Sequence, residues 1–433
     1  HAGQTGATVV YSIITDGDKK ISLKLTQVLF QKAECKIVSQ ILHSQLTINR
    51  FWQNTCIHTS GFVYAFILNT QSTVMKFFFN ACIAVLFCSL AFAQDKYYTI
   101  TGQVIDSATK QPMPNASVFC QNTTIGTTSN AEGKFFMRLN NGGYDLVVSY
   151  TGYETKMMRI SNGNPDNDKM VVELKQQDKN LNEVVVAGSA EVADGWSKYG
   201  SFFIANFIGT TPNADQCSIE NKDAIHFYFY KKRNKLKVRA KEDIIITNNA
   251  LGYKIKYQLD SFVYDYNTNI GSYTGYPLFE EMTGTDAQKA AWKQNRFNTY
   301  IGSRLHFMRC LYDSAVKEEG YEIELLDSTD NNKSTPVTDP YDSKYYSVDS
   351  GDVQINWHGR VRIKYKTQPP DQKYLIINKF PLSSRVQISA LDIVDGFVIE
   401  ENGYFYEQSE VTNMGYWAWK KLAELLPYDY NPE

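Results

Sequence analysis

Histidine and cysteine are scarce in this chain, with six and seven copies among 433 residues. Their spacing excludes the commonest metal chemistry. A metallocarboxypeptidase needs His-x-x-Glu and a distant His to hold zinc with one position open to water. His226 is followed by Phe227-Tyr228-Phe229, His306 by Phe307-Met308-Arg309 and His358 by Gly359-Arg360-Val361, so none of the three supplies it. His-Glu-x-x-His and Cys-x-x-Cys are also missing, which removes the usual zinc-peptidase and thiol-redox signatures. No cofactor and no metal is indicated. Basic excess is lacking as well, since 44 Lys and Arg face 46 Asp and Glu, and phosphate backbones require clustered positive charge. Nucleic acid is therefore not expected as a partner. Asp349-Ser350-Gly351 occurs only once, whereas aspartic proteases need two such carboxylates sharing a proton. It reads as part of a solvated Ser- and Asp-rich loop from Asp327 to Asp352. That loop could collect calcium, but the chain has no Asp-x-Asp-x-Asp-Gly to support it.

Methionine is absent from residues 1–74, and all nine copies lie at or after Met75. From there Lys76 precedes an apolar run, Phe77 to Phe92, that ends in Ala91-Phe92-Ala93. A basic start, a short apolar stretch and small residues at the exit make a secretory signal peptide over 75–93, with Gln94 following the cut. A membrane anchor is the alternative, but the run falls short of the roughly 20 apolar residues that cross a bilayer. Phe87 before Cys88 argues against lipidation. Residues 1–74, with no sustained helical or strand period, read as lying outside the native protein. On this reading the mature chain spans 340 residues, carries a net charge of −6 and has no membrane span. It is exported to periplasm, outer membrane or medium, and its length predicts two domains. It keeps Cys120, Cys217 and Cys310, an odd number. A Cys217–Cys310 bridge and buried free thiols are both open, the second being the simpler.

Short alternating runs broken by turn residues predict strands near 99–105, 116–122, 134–139, 144–150, 154–160 and 169–174. Asn140-Asn141-Gly142-Gly143 supplies a tight hairpin, with Gly133 and Gly143 expected to serve turns. Leu146, Val148 and Tyr150 are expected to point inward. Gly102-Gln103-Val104-Ile105-Asp106, Pro112 to Val118, Gly126 to Phe135 and Gly143 to Tyr153 carry a resemblance to the carboxypeptidase-like regulatory domain. The resemblance implies a transthyretin-like β-sandwich over 94–175, with a packing, spacing or binding role rather than catalysis. Leu181-Asn182-Glu183-Val184-Val185-Val186 resembles the stretch that follows this module in TonB-dependent outer-membrane receptors. The 247 residues after Val186 are too few for a receptor's plug and barrel. A different partner domain must follow.

Residues 176–195 read as a linker. Beyond it, 196–433 predicts a larger α+β domain, making the whole mainly β. Strands are expected at 226–230, 235–240, 243–247, 253–265, 361–366, 374–377 and 386–391, and a hairpin turns at Glu400-Glu401-Asn402-Gly403. Thr285 with Gln288 predicts a capped helix, broken at Gly302-Ser303 before a second run that ends at Gly320. A last helix is expected from Gly415 to Leu426, stopping at Pro427. Asn248 to Tyr253, Tyr273 to Phe279, Asn295-Arg296, Tyr300 to Phe307 and Gly415-Tyr416-Trp417 resemble a domain that accompanies such modules in exported bacterial proteins. No activity is implied by it.

The densest chemistry is Arg296, Tyr300, Ser303, His306 and Arg309. On one continuous helix, steps of three and four would make them neighbours. Arg296, Ser303 and His306 are the catalytic candidates, since a Ser beside a His suggests nucleophilic attack. Tyr300 and Arg309 are candidate binding residues. The competing reading makes His306 and Tyr300 partners of buried polar groups and pairs the arginines with acids. Tyr228, Tyr230, Tyr257, Tyr264, Tyr266, Tyr273 and Tyr276 could stack on sugar rings, although half-buried strands account for them without a ligand. The expectation is a non-catalytic binding or structural protein of the cell envelope, with envelope proteins or polysaccharide as partners. The alternatives are a hydrolase of envelope or extracellular polymer and an accessory to an outer-membrane transport complex.

Overall fold

The computed structural model describes residues 13–16, 20–23, 97–177, 191–330, 333–349 and 351–432. Residues 1–94 and 95–433 are separate units. In the first, β1 (Ile13–Asp16) and β2 (Lys20–Leu23) pair antiparallel. The signal peptide expected at 75–93 lies outside the described residues, as do most of the upstream segment and residues 178–190 with the Val184–Val186 run.

The second unit opens with β3 (Tyr97–Asp106), β4 (Ser117–Cys120), β5 (Gly126–Thr128), β6 (Lys134–Asn140), β7 (Tyr144–Ser149), β8 (Lys156–Ile160) and β9 (Met170–Leu174). They form two sheets, β6-β3-β9 and β5-β4-β7-β8, in which only β3 and β9 run parallel. The alternation that predicted β6 is realised: Phe135, Met137 and Leu139 are buried while Lys134, Phe136 and Arg138 face solvent. Ile100, Val104, Val118, Leu146, Val148 and Val172 join them in the sandwich core. All six expected strands are present; the three-residue β5 is additional.

Two local readings need correction. Tyr150 is 36% exposed, because β7 ends at Ser149 and the ring turns edge-on to Tyr153. In the hairpin it is Gly142, not Gly143, that takes positive φ, at 126°. Gly143 serves close approach instead, since a Cβ there would lie 2.7 Å from the Glu400 side chain.

The larger region begins with a helix that sequence did not suggest, α1 (Gly195–Phe207). Two glycines and two serines lower its propensity. Packing overrides this: a Cβ on Gly195 would meet Phe227 at 2.8 Å, so the glycine lets helix and sheet touch. The sheet contains β10 (Cys217–Ile219), β11 (Ile225–Tyr230), β12 (Lys235–Ala240), β13 (Ile244–Asn248), β14 (Tyr253–Asp265) and β15 (Ile270–Glu281). The long β14 pairs along its length with β15 and, on its other edge, with β13 and then β12. A first core joins Phe203 and Phe207 to Phe227, Val238, Ile255 and Phe262.

Two helices, α2 (Asp286–Tyr300) and α3 (Arg304–Tyr312), lead to a second core. It is built on the sheet β17-β16-β20-β21-β23 and the smaller sheet β18-β19-β22. Their ranges are β16 (Tyr321–Leu326), β17 (Ser334–Pro336), β18 (Tyr346–Asp349), β19 (Asp352–Ile355), β20 (Gly359–Tyr365), β21 (Gln387–Ile393), β22 (Phe397–Ile399) and β23 (Val411–Gly415). Phe307, Trp357, Val361, Leu391, Phe397 and Trp417 fill the space between.

Three expectations fail here. Residues 374–377 are not a strand but part of α4 (Gln372–Ile377), whose first turn is capped by Asp371 accepting the Lys373 N–H at 2.7 Å. The second run of the broken helix stops at Tyr312 rather than Gly320, followed by Ser314 at positive φ. The last helix shrinks to α5 (Tyr416–Trp419), because Lys420 turns extended and the Ala423 N–H is drawn to the Ile208 carbonyl at 3.0 Å.

The C-terminal segment ties the cores together. Leu422, Ala423, Leu426 and Tyr430 enter the first core and Trp417 the second. Tyr428 enters the sandwich core with Tyr404 and Tyr406, and its N–H donates to the Asn122 carbonyl at 2.8 Å.

Candidate functional site

The α2–α3 junction is built as its sequence dictates. Thr285 and Gln288 form a reciprocal capping box. Gly302 takes φ of 72°, so one helix does not run through, and Ser303 caps α3 by accepting the His306 backbone N–H at 3.1 Å. The condition for a continuous face from Arg296 to Arg309 is therefore not met.

Each of the five side chains has its own partners. Arg296 donates to the Leu251 carbonyl at 2.7 Å and to Glu281 at 2.6 Å, and lies over the Tyr253 ring. Tyr300 is buried between His306 and Tyr430, with ring centroids 4.8 and 5.7 Å away. His306 is 6% exposed. Its Nδ1 receives the Gly302 N–H at 3.2 Å and lies 3.0 Å from the Tyr321 hydroxyl, while Nε2 faces Glu319 at 3.4 Å. Burial lowers its pKa, opposed by the Glu319 carboxylate. Arg309 donates to three carbonyls, those of Asn402, Tyr430 and Tyr428, at 3.0, 3.0 and 2.9 Å. The Ser303 oxygen thus faces the histidine's backbone and not its ring. The arrangement fastens the C-terminal segment and the 400–404 turn to the helices.

The tyrosines divide. Tyr264 and Tyr266 pack on Phe202, and Tyr257 and Tyr273 edge against Phe207, so α1 covers much of that face. Tyr228 lies beneath Arg239. Tyr257, Tyr273 and Tyr276 also line a cleft of about 750 Å³.

This cleft lies between sandwich and larger region. Arg159 of β8 and Asp145 of β7 form one wall, Tyr276 of β15 another. Arg304 at the start of α3, Phe405 and Trp417 complete it. Of the sequence candidates it brings in Ser303, but not Arg296, Tyr300, His306 or Arg309. Arg304, Phe405 and Trp417 were missed because they are far apart in the chain and only the packing of three cores assembles them.

The electrostatics of the cleft are mostly settled internally. Arg159 pairs with Glu407 at 3.6 Å and stacks on Tyr406. Asp145, whose pKa burial raises, accepts from the Tyr404 hydroxyl at 2.8 Å. Lys421 donates to the Asn206 carbonyl at 2.9 Å. Cys120, Cys217 and Cys310 are all free; Cys217 lies against the first core and Cys310 inside the second. Among the described residues no helix is long and apolar enough to cross a membrane.

Comparison with known proteins locates the sandwich's kin. Residues 100–186 match the CarboxypepD_reg-like domain. The TonB-dependent receptor SusC of Bacteroides thetaiotaomicron is 35% identical over 110 residues, which is 25% of this chain and 10% of the receptor. The chain thus spans about a tenth of that relative's length. Among solved structures, the group B streptococcus pilus 2b backbone protein is 19% identical at a TM-score of 0.17, over 19% of this chain and 42% of that one. BcpA, the major pilin subunit of Bacillus cereus, is 10% identical at 0.16, over 70% of this chain and 95% of its own. TM-scores this low carry no argument. The β-sandwich that forms one wall of the cleft is the part of the chain that matches the CarboxypepD_reg-like domain.

Proposed function

We propose that this protein is exported to the cell envelope and works there by binding rather than by catalysis. The observation that carries the reading is the fate of Arg296, Ser303, His306 and Arg309, each held by a partner that fastens the fold. A catalytic Ser needs its base at hydrogen-bonding distance from the hydroxyl, and here the imidazole nitrogens are directed elsewhere. Export rests on the 75–93 signal sequence, and the division into a sandwich at 94–175, a linker and a domain at 196–433 belongs to the same reading. Similarity over 110 residues to a TonB-dependent receptor favours an outer-membrane partner. So do Ile376, Ile377, Phe380 and Leu382, large apolar side chains 49–63% exposed on and just after α4.

The test is to express the full chain in a Gram-negative host, fractionate the cells, and incubate the purified protein with envelope and extracellular polysaccharides. It is expected in the envelope fraction, beginning at Gln94, and releases no new reducing ends. Retention in the cytosol, or polymer cleavage abolished by Ser303→Ala, would overturn the proposal.

A further inference from the structure

Two cations of the interdomain cleft, Arg304 and Lys420, have side chains without a hydrogen bond or ion pair among the described residues, and Lys420 lies over the Tyr416 ring. Arg304 is half-buried and lines the cleft, with its guanidinium 5.1 Å from the centre of the Phe405 ring. Among the described residues it makes no hydrogen bond or ion pair, in contrast to Arg159 on Glu407 and Lys421 on the Asn206 carbonyl. A guanidinium presents five N–H donors in a planar fork that suits a carboxylate or a similar oxyanion. Removing it partly from water without an acceptor is costly, and a ligand anion would repair that.

The remaining lining narrows the ligand. Asp260, Glu407 and Glu424 line the cleft with carboxylates that call for hydroxyl donors, and they disfavour a ligand crowded with negative charge. The half-buried Tyr276 adds aromatic surface for an apolar ring face. A volume of about 750 Å³ falls within the roughly 300–1,000 Å³ of small-molecule sites. Few anionic groups, many hydroxyls and flat apolar faces are together the chemistry of an acidic sugar.

We propose that the cleft binds an acidic oligosaccharide, with Arg304 gripping its anionic group. The assignment rests on the binding reading above and gives that reading a ligand class. The anion is a uronic carboxylate or a sugar sulfate, both oxyanions on hydroxylated rings.

The experiment follows tryptophan fluorescence of the full chain, which Trp417 in the cleft wall should report. Three probes are titrated: a galacturonate trimer, a sulfated galactose trimer and a neutral galactose trimer. At least one acidic probe is expected to bind saturably, and at least tenfold more tightly than the neutral one. Whichever acidic probe wins identifies the anion. Arg304→Gln should weaken the acidic probe at least tenfold and leave neutral binding unchanged, while Arg304→Lys recovers part of the loss. Thermal melts of both variants matching the wild type keep the comparison one of binding. Equal affinity for acidic and neutral probes, wild-type affinity in Arg304→Gln, or no saturable binding by any probe would overturn the assignment. Neutral binding without acid preference leaves the broader binding reading standing. Cleavage of a bound probe, by contrast, defeats the non-catalytic reading while leaving Arg304 in place.

Discussion

Glu400 sits 4% exposed in the turn after β22, accepting a hydrogen bond from the Tyr406 hydroxyl and facing Asp352. Burial pushes its pKa up to about 7 from the ordinary 4.5, aided by the Asp352 charge and opposed by Tyr406 and Arg159. A raised carboxyl pKa means that the folded state holds its proton more tightly than the unfolded chain does. Stability from this group is therefore intact near pH 4.5, declines as pH rises toward 7, and is flat above that. The carboxyl of Asp106, held down to about 2 chiefly by the Tyr153 hydroxyl, has finished titrating before this window opens. Between pH 5 and pH 8, wild type should lose melting temperature relative to Glu400→Gln, in which nothing titrates at that position. A wild-type-minus-variant difference that stays constant over this range would count against the argument. Asp145 and Asp429, raised in the same direction by burial, drop out of the difference.

The elements show where sequence is a sufficient guide. The capping box at Thr285, the break at Gly302-Ser303 and the strands β12 and β14 were legible because a local rule decides each of them. The break carries a prediction: an alanine at Gly302 must accept φ of 72° and place its Cβ 2.6 Å from the Tyr365 ring. Strain and overlap together should cost about 2–3 kcal/mol in chemical denaturation. A loss below about 0.5 kcal/mol would show that the junction bends freely. What sequence hid was decided at a distance. The glycines of α1 conceal a helix that Phe227 requires close by, and Gly271, Gly275 and Pro277 mask β15, whose long pairing with β14 supplies its stability. The apolar run at Tyr374 to Ile377 fits either period, and only the Asp371 cap selects the helix. The candidate belt was legible as residues, and the break that splits it was legible at Gly302-Ser303, whereas the cleft had no local signal at all.

At the scale of the molecule, sandwich and larger region meet closely at Gly143. Its carbonyl accepts the Asn402 side-chain N–H at 2.9 Å, and two residues on Asp145 receives the Tyr404 hydroxyl. Gly143→Val would drive a branched side chain into Glu400 and Tyr404, at 2.7 and 2.9 Å from its Cβ. Calorimetry should then resolve two transitions where wild type shows one, the sandwich melting apart from the rest. A single transition at the wild-type temperature would mean that the contact is dispensable to cooperativity. The threaded C-terminal segment also sets a timetable. Asn122 and Leu426, hydrogen-bonded across 304 residues, leave the ribosome on the order of tens of seconds apart at ordinary translation speed. For all that interval the sandwich lacks Tyr428 and the first core lacks Leu422, Leu426 and Tyr430. Assembly therefore waits on a segment made 304 residues after the sandwich residue it binds, leaving the nascent chain unfinished, and open to chaperones, until that segment emerges.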